Sequence, residues 1–320
     1  MQQPVYVDRE TCERVLSVER ALELAEQALL WESQGLVDYP TPRALKMRPA
    51  GKALRFHSKA VALPEIGVAG CRIVGYRAEP DGTRPDADLT TRLVVLMSID
   101  TGFPLAIVDE HYNYSLRTAA SVAVAAARLA RPQTHVGIVG AGTVARAAVG
   151  AMLAALDVAS LTLTSRTIAR SHELADYARS LSAVEVRVEP DISAVLARCD
   201  TIVTATTARA PIITGPLRPG VLVCALGSNE LDAAAYLSSD RLLVDDWAQT
   251  EEAADIAALI RDGHPIETRF AGELSGLIAG TVDGRRNDDE KIIVRTEGLA
   301  SQDILFAHWA WQQALESAEA

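Results

Sequence analysis

A glycine-rich turn between a predicted strand and a predicted helix constrains the fold of this chain more than any other feature. Gly140–Ala145 reads GAGTVA, follows the apolar run His135–Val139 and opens a helical segment that continues to Leu156. In a GxGxxA sequence the first glycine permits a tight turn, the second lets a phosphate approach the backbone, and the alanine keeps the helix close to the sheet. A helix N-terminus favours an anion, so the turn predicts a dinucleotide-binding loop.

The segments that follow this loop alternate between strand and helix. Predicted strands are Leu161–Ser165, Val184–Val188, Thr201–Ala205, Val221–Leu226 and Leu242–Val244. Strands separated by helical segments of about ten to fifteen residues are typical of a doubly wound parallel sheet. We therefore predict an α/β fold with a Rossmann dinucleotide-binding domain over residues 119–296.

The N-terminal part of the chain mixes helices and strands without this alternation. Helices are predicted over Ser17–Ser33 and Ser115–Leu129, and Glu79–Asp88, rich in proline, glycine and aspartate, is predicted to be a loop. Strands are predicted over Ala53–His57, Ala69–Tyr76, Thr91–Ile99 and Leu105–Asp109. We expect the last helix, Ser301–Ala318, to pack back on this region. These segments predict an α+β domain made of residues 1–118 and 297–320.

Charge and composition argue against several classes of protein. The formal net charge of -11 disfavours nucleic acid binding, which needs clustered lysine and arginine. No apolar run reaches the roughly 18 residues of a membrane span. The N-terminal sequence does not resemble a secretory signal, and the four cysteines lie far apart. We expect a cytoplasmic protein that binds neither nucleic acid nor membranes. The acidic run Asp288–Glu290 is interpreted as a solvated loop, so no metal site is predicted.

The residues after the second Rossmann strand predict which dinucleotide is used. An NAD-binding fold usually places an acidic residue there to accept hydrogen bonds from the ribose, whereas this chain has Ser165, Arg166 and Thr167. A guanidinium suits the oxygens of a 2′-phosphate, and Arg170 adds a second charge one turn later. The alternative is that these are solvated side chains at a helix start. We predict NADP(H) as the preferred cofactor, with NAD(H) possible.

Three further segments give the chain a family resemblance. Asp100–Gly102 is a turn between two predicted strands, Ser115–Ala120 reads SLRTAA ahead of the glycine-rich loop, and Gly298–Asp303 reads GLASQD. With these segments the chain resembles the ornithine cyclodeaminase/μ-crystallin family over nearly its whole length. That family includes cyclodeaminases, ketimine reductases, and alanine and opine-type dehydrogenases. The resemblance implies a homodimer whose N-terminal domain forms both the substrate site and the subunit interface.

The resemblance also implies a set of cationic residues that hold a substrate carboxylate. The matching positions are Arg43, Arg72 and Arg117, and the family has lysine where this chain has Arg72. Arginine keeps the positive charge but stays protonated, which disfavours a proton donor at that position. Weaker candidates for the proton donor are Lys46, Lys59 and His111, while His57 and His111 are interpreted as structural.

A second departure concerns the base that cyclodeaminases use to activate water. The resemblance places it at Asn229, and an amide cannot accept a proton as a general base near neutral pH. Glu230 and Asp232 are close in sequence but are expected to point elsewhere or to belong to the following helix. We therefore predict an NAD(P)H-dependent imine or ketimine reductase or an amino-acid dehydrogenase. The alternatives are a cyclodeaminase with a substitute base and a non-catalytic NADPH-dependent protein that sequesters a small carboxylate.

The predicted site combines both sets of residues, with a small carboxylate or imine as the substrate. The predicted catalytic residues are Arg117, Asn229 and Arg72, and the predicted substrate-binding residues are Arg43, Arg72 and Arg117. The predicted cofactor contacts are Thr118, Gly140, Ala141, Gly142, Thr143, Val144, Ser165, Arg166, Thr167, Ala205, Thr206, Leu226 and Thr296.

Overall fold

The computed structural model describes residues 3–77 and 90–319 and divides the chain into two compact units. Unit 1 comprises Met1–Arg117 and Leu299–Ala320, and unit 2 comprises Thr118–Gly298. The predicted loop Glu79–Asp88 lies outside the described residues. Unit 2 contains a parallel sheet of the Rossmann type and unit 1 a mostly antiparallel sheet, so the predicted fold class is confirmed.

Unit 1 is built on a six-stranded sheet in the order β1-β6-β5-β4-β3-β2. Strand β1 is parallel to β6, and the other neighbours are antiparallel. The elements are β1 Val5–Val7, α1 Arg9–Val15, α2 Val18–Ser33, β2 Ala44–Met47, β3 Leu54–Leu63, β4 Val68–Arg77, β5 Thr91–Ser98, β6 Pro104–Asp109 and α11 Ala300–Glu319. Helix α3, His111–Leu129, continues from unit 1 into unit 2.

Helix α11 packs on one face of this sheet. In β4 every second residue from Val68 to Val74 is buried, and the residues between them are partly or fully exposed, as expected when one face of a sheet is covered. A Cβ on Gly70 would lie 2.5 Å from the Cδ1 atom of Ile304, so glycine is what lets the helix approach this strand. Arg72 therefore lies on the covered face, between Gly70 and Val74.

Two elements of unit 1 are longer than the sequence predicts. Strand β3 continues past His57 to Leu63, because Ser58 and Lys59 stay in register with Ile73 and Arg72 of β4. Their polarity made the prediction end too early. Helix α3 begins at His111, four residues before the predicted start. The carboxylate of Asp109 accepts a hydrogen bond from the backbone N–H of His111 at 2.9 Å, which satisfies a donor of the first turn.

Unit 2 contains an eight-stranded sheet in the order β13-β12-β14-β11-β10-β7-β8-β9, with every pair parallel. Its elements are β7 Thr134–Val139, α4 Thr143–Ala155, β8 Val158–Thr164, α5 Ile168–Leu181, β9 Glu185–Val188, α6 Ile192–Arg198, β10 Thr201–Thr204, β11 Leu222–Ala225, α7 Ala233–Ser238, β12 Arg241–Val244, α8 Trp247–Glu251, α9 Ala254–Arg261, β13 Phe270–Glu273, α10 Leu274–Ala279 and β14 Ile292–Arg295. The chain path reverses between β7 and β10. Ligands of such sheets bind at this point, outside the carboxyl ends of the strands.

The interpretation of Asp288–Glu290 as a solvated loop is wrong for its last residue. Glu290 is buried, and its carboxylate accepts hydrogen bonds from Nε and the backbone N–H of Arg286 at 2.6 and 2.9 Å. Arg241 lies 3.7 Å from the same carboxylate. A buried acid needs such partners.

Among the described residues, no cluster of three or more histidine, cysteine or acidic residues is arranged to hold a metal ion. Within the same part of the chain, every helix is too short or too polar to cross a membrane.

Candidate active site

The first glycine of the loop after β7 is required by its backbone and by its surroundings. Gly140 has φ 124°, and a Cβ there would lie 2.4 Å from the carbonyl oxygen of Ala205. Its N–H donates to the carbonyl of Thr164 at 2.8 Å, and the N–H of Ala205 donates to the carbonyl of Val139 at 2.8 Å. These hydrogen bonds connect the carboxyl ends of β7, β8 and β10, as the sequence motif implies.

The second glycine leaves space at the start of α4. Gly142 is the N-cap residue, with φ -90° and ψ -172°, and no side chain caps this end of the 13-residue helix. Among the described residues, apart from its chain neighbours, no heavy atom lies within 4 Å of the position that a Cβ on Gly142 would occupy, and Gly142 and Thr143 are exposed. The uncapped amides of a helix N-terminus bind phosphate oxygens. The loop Gly140–Ala145 therefore fits the pyrophosphate of a dinucleotide.

In the loop after β8, the side chain of the basic residue Arg166 is exposed to solvent. Ser165 donates its hydroxyl hydrogen bond to the carbonyl of Thr167 at 2.9 Å, and its oxygen lies 2.7 Å from the hydroxyl of Ser171. Arg166 and Thr167 are exposed. The Ser165–Ser171 contacts fix the shape of the turn, while the Arg166 guanidinium remains accessible for a phosphate.

A buried carboxylate holds the loops that follow β10 and β11. Glu230 accepts hydrogen bonds from the Thr204 hydroxyl at 2.6 Å, from the Thr206 amide and hydroxyl at 2.8 and 2.7 Å, and from the Gly227 amide at 2.8 Å. Glu230 is engaged by these donors, as the expectation that it points elsewhere implies, and it does not belong to the next helix. It is fully buried, α7 starts only at Ala233, and its two oxygens bind the segments that contain the predicted cofactor contacts.

The remaining predicted cofactor contacts lie near the same carboxyl edge or on α3. The amide of Leu226 donates to the carbonyl of Thr204 at 3.0 Å, and the amide of Thr296 lies 3.4 Å from the carbonyl of Ala225. Ala205, Thr206, Leu226 and Thr296 are each partly exposed. Thr118, the first residue of unit 2, is buried on α3.

Two predicted substrate arginines meet in unit 1, each on a buried carboxylate. Nε of Arg72 donates to Oε1 of Glu110 at 2.5 Å and lies 3.5 Å from Oδ2 of Asp303. Nε of Arg117 lies 2.8 Å from Oδ1 of Asp303. Both guanidinium groups also face the ring of Tyr114, at 5.3 and 5.0 Å from its centroid. Strand β4, helix α3 and helix α11 therefore meet at one ionic cluster, which consists of Arg72, Glu110, Arg117 and Asp303.

The two acids of this cluster have opposite pKa shifts. Burial raises the pKa of Glu110 to about 7, against the opposing effect of Arg72. Burial alone would also raise the pKa of Asp303, but Arg117, Arg72 and Lys59 outweigh it and hold that pKa below the ordinary value. Asp303 is therefore the permanent counter-ion of the arginines, while Glu110 titrates near neutral pH.

The third predicted substrate residue, Arg43, and the proton-donor candidates Lys59 and His111 lie in different environments. Arg43 is exposed, and its guanidinium stacks over the ring of Tyr39 at 4.3 Å; none of the contacts described for the Arg72–Arg117 cluster involves it. Lys59 is only 6% exposed and lies opposite Arg72 in the strand register. The His111 ring lies 3.0 Å from the Asp109 carboxylate, which agrees with a structural role.

Comparisons with known proteins establish the family of this chain. The model of the "Ornithine cyclodeaminase/mu-crystallin family" matches residues 3–318. The chain belongs to this family. The family recognition made from the sequence is thereby confirmed.

Several members of the ornithine cyclodeaminase/mu-crystallin family are similar to this chain over most of its length. Delta(1)-pyrroline-2-carboxylate reductase from Bacillus cereus is 30% identical over 271 residues, or 82% of each chain. The solved structure of that reductase from Thermococcus litoralis, in complex with NADH and L-proline, has a TM-score of 0.89 at 24% identity and covers 98% of both chains. An archaeal alanine dehydrogenase dimer with bound NAD has a TM-score of 0.86 at 26% identity, covering 98% of this chain and 97% of the other.

Asn229, the position that the resemblance assigns to the cyclodeaminase base, lies in a strained turn. The residue has φ 59°, and its backbone N–H donates to the carboxylate of Asp255 at 2.8 Å. That carboxylate is also held by both terminal nitrogens of Arg295, each at 2.9 Å. Asp232 caps α7 through the amide of Ala235. The acids near Asn229, including Glu230, are therefore already engaged as hydrogen-bond acceptors.

Sequence reasoning missed the acids that organise this site. Asp303 lies inside the recognised GLASQD segment and Glu110 directly before α3, but neither residue was given a role. A charged residue on the covered side of a helix indicates a buried ion pair, because a buried charge requires a partner. The identity of that partner depends on residues far apart in sequence.

Proposed function

We propose that this chain is an NAD(P)H-dependent oxidoreductase that reduces imines or 2-oxo acids, or oxidises the corresponding amino acids. The observation that carries the proposal is the pair of buried arginines, Arg72 and Arg117, anchored on Glu110 and Asp303. The B. cereus and T. litoralis reductases and the archaeal alanine dehydrogenase act on this class of compound by name, which supports the same class here.

The arginine pair is suited to holding the carboxylate of such a substrate. Nε of each guanidinium faces a buried carboxylate, and we infer that the terminal nitrogens contact the ligand. A guanidinium presents these nitrogens in a plane that matches a carboxylate. Binding the carboxylate in one orientation places the neighbouring C=N or C=O carbon, and such positioning contributes up to roughly 7–11 kcal/mol to catalysis.

The loops of unit 2 fit the cofactor. Gly140–Ala145 would hold the pyrophosphate and Ser165–Thr167 the adenosine ribose, while the loops fixed by Glu230 would border the nicotinamide. When bound, a reduced nicotinamide would supply a hydride to the substrate carbon. A protonated C=N group needs no other proton, because its electron pair moves to nitrogen. Hydride transfer to a protonated imine therefore works without a base at Asn229, whereas cyclodeamination requires one.

The experiment that tests this function is a scan of NAD(P)H oxidation. The substrates are delta(1)-pyrroline-2-carboxylate and 2-oxo acids with ammonia or methylamine, and ammonia release from ornithine is measured in parallel. We expect oxidation with at least one imine or oxo acid. Brisk conversion of ornithine to proline without net cofactor consumption would instead establish a cyclodeaminase. Ligand binding without any turnover would establish the binding-protein alternative.

We expect NADPH to bind more tightly than NADH, by at least about tenfold. A charge-assisted hydrogen bond from Arg166 to the 2′-phosphate contributes roughly 1–3 kcal/mol. Replacement of Arg166 by alanine should remove most of this preference, as measured from the two dissociation constants by cofactor fluorescence. Arg179→Ala, which removes an exposed arginine of α5 paired with Asp176, is the matched control. Equal affinities in the unmodified protein would refute the assignment.

We propose further that the protein is a homodimer assembled through the face of the unit 1 sheet opposite helix α11. On that face Leu45, Met47 and Ile73 are 54%, 49% and 37% exposed, and Leu93 and Val95 continue the apolar surface. A contiguous exposed apolar patch is characteristic of an interface. The dimeric state of the archaeal alanine dehydrogenase supports a second copy as the occupant.

Introducing a charge on this face should dissociate the dimer. Ile73→Glu would bury two carboxylates in a symmetric interface, and sedimentation velocity should then show a 34.2 kDa species at concentrations where the unmodified protein is dimeric. Leu181→Glu, which changes an exposed leucine at the end of α5, should leave the assembly unchanged. A dimer that persists in Ile73→Glu would mean that the subunits meet elsewhere.

A further inference from the structure

The loop after β11 is held at both ends by carboxylates. At its start the amide of Gly227 donates to Glu230 at 2.8 Å, and at its end the amide of Asn229 donates to Asp255 at 2.8 Å. Ser228 and Asn229 themselves are exposed. The backbone of this loop is therefore fixed by the protein, while its last two side chains are accessible to a ligand.

The second of these carboxylates is held by an arginine at the end of β14. Both terminal nitrogens of Arg295 donate to Asp255 at 2.9 Å, and Nη1 also donates to the hydroxyl of Tyr236 at 3.1 Å. The side chains of Arg295 and Asp255 are only 2% and 10% exposed. A bidentate arginine–carboxylate pair has a defined geometry, and breaking a buried one leaves an uncompensated charge. Asp255 is thus fixed in place as the acceptor for Asn229.

The backbone conformation of Asn229 requires such an acceptor. Its φ of 59° lies in the left-handed region, which is less favourable than negative φ for every residue except glycine, although asparagine tolerates it better than most. The hydrogen bond to Asp255 stabilises this conformation. If Asp255 is released from Arg295, the residue can return to negative φ, and its exposed side chain then moves with it.

The ion pair lies at the edge of the sheet where ligands bind. Arg295 is in register with Ala225 and Val244, the last residues of the neighbouring strands β11 and β12. The next residue, Thr296, is a predicted cofactor contact. Ligands of doubly wound sheets bind outside the carboxyl ends of the strands. Arg295 therefore supports the part of unit 2 that the proposed function assigns to the nicotinamide.

We propose that Arg295 and Asp255 are positioning residues, which hold the loop Gly227–Asn229 against the nicotinamide end of the bound cofactor. The proposal rests on the proposed function and adds two residues that act through Asn229 and not by touching the substrate. The pyrophosphate and the adenosine are assigned to other loops, Gly140–Ala145 and Ser165–Thr167. Loss of the ion pair should therefore lower turnover much more than cofactor affinity.

Steady-state kinetics with the best substrate of the scan measure this split. Asp255→Asn keeps the shape of the side chain but removes the charge that binds Arg295. We expect it to lower kcat by at least about tenfold, because a small misplacement of reacting groups is costly, and to change the dissociation constant of NADPH by less than about threefold. Arg295→Lys, which keeps the charge, should lose less activity than Arg295→Met. An equal loss of turnover and of cofactor affinity in Asp255→Asn would overturn the proposal.

A buried arginine at the opposite edge of the same sheet provides the matched control. Arg241, the first residue of β12, is 5% exposed and lies 3.7 Å from the buried carboxylate of Glu290. Arg241→Lys disturbs a buried ion pair of the same unit at the amino ends of the strands. It should lower the melting temperature, as Arg295→Lys does, but leave kcat unchanged. An equal loss of kcat in the two variants would reduce Arg295 to a purely structural role.

Hydrogen exchange follows the loop without any turnover. In the free protein, Asp255→Asn should speed exchange in peptides that contain residues 227–229 and leave residues 140–145 unchanged, because only the first segment loses its anchor. In the unmodified protein, NADPH should slow exchange in 227–229 more than 2′-phospho-ADP-ribose, which lacks the nicotinamide. Equal protection of this loop by the two ligands, or by neither, would overturn the proposal. Protection by NADPH in a protein that reduces none of the substrates would refute the proposed function but not this positioning.

Discussion

Replacing Arg117 with alanine is expected to lower kcat/KM by at least about 10³-fold, the largest effect of any single substitution at this site. The side chain holds the substrate carboxylate in the proposed function, and its loss removes both affinity and orientation. The substitution also removes one of the two arginines that lie against the buried carboxylate of Asp303. Steady-state kinetics with the best substrate of the scan measure the effect.

Stability must be followed in the same experiment. Removing one member of a buried ion pair costs about 3–5 kcal/mol, so Arg117→Ala should also unfold at lower temperature. Arg117→Lys keeps the charge but not the paired terminal nitrogens, and it should be more stable than Arg117→Ala while remaining severely impaired. Arg9→Ala, which removes an exposed arginine of α1, serves as the control. Near-normal activity of a folded Arg117→Ala protein would exclude this residue from the substrate site.

Replacing Gly142 with valine is expected to weaken dinucleotide binding by at least about 100-fold without loss of folding. The backbone at Gly142 is extended, with φ -90°, which any residue adopts. A side chain would enter the open space at the N-terminus of α4 and exclude the pyrophosphate. Fluorescence titration with NADPH and NADH measures the affinity.

A graded series separates steric exclusion from misfolding. Gly142→Ala adds a single methyl group and should reduce affinity less than Gly142→Val, while both variants keep the melting temperature of the unmodified protein. In contrast, Gly140→Ala should destabilise the fold, because φ 124° and the 2.4 Å approach to Ala205 leave no room for a Cβ. Unchanged cofactor affinity in Gly142→Val would place the pyrophosphate elsewhere.

The parts of this structure that could be predicted from the sequence are those with local signals. The glycine turn at Gly140 and the alternation of strands and helices determine the Rossmann unit, since each signal acts within a few residues of the chain. The continuation of β3 beyond His57 has no such signal. It depends on pairing with β4 and on the burial of Lys59, which are properties of the assembled sheet.

In the candidate active site, too, some features could be predicted from the sequence and others could not. The meeting of Arg72 and Arg117 follows from the family resemblance, while their partners depend on α11, which returns from the other end of the chain to bring in Asp303. The burial of Glu230 likewise has no local signal in the sequence, where a charged residue in a loop is usually solvated. Its role depends on donors from two different strand ends, and no spacing within the sequence encodes that convergence.

The buried Glu110 couples ligand binding to proton uptake. Because its folded-state pKa of about 7 lies above the ordinary 4.5, folding takes up a proton between these values, and the stability due to this proton is lost as pH rises through about 7. A carboxylate bound at Arg72 would add negative charge nearby and raise this pKa further. Near pH 7, calorimetric titration with pyruvate should therefore give binding enthalpies that differ between phosphate and Tris buffers, in proportion to the proton withdrawn from the buffer. In net terms, the protein would then bind the carboxylate together with one proton, which Glu110 takes up.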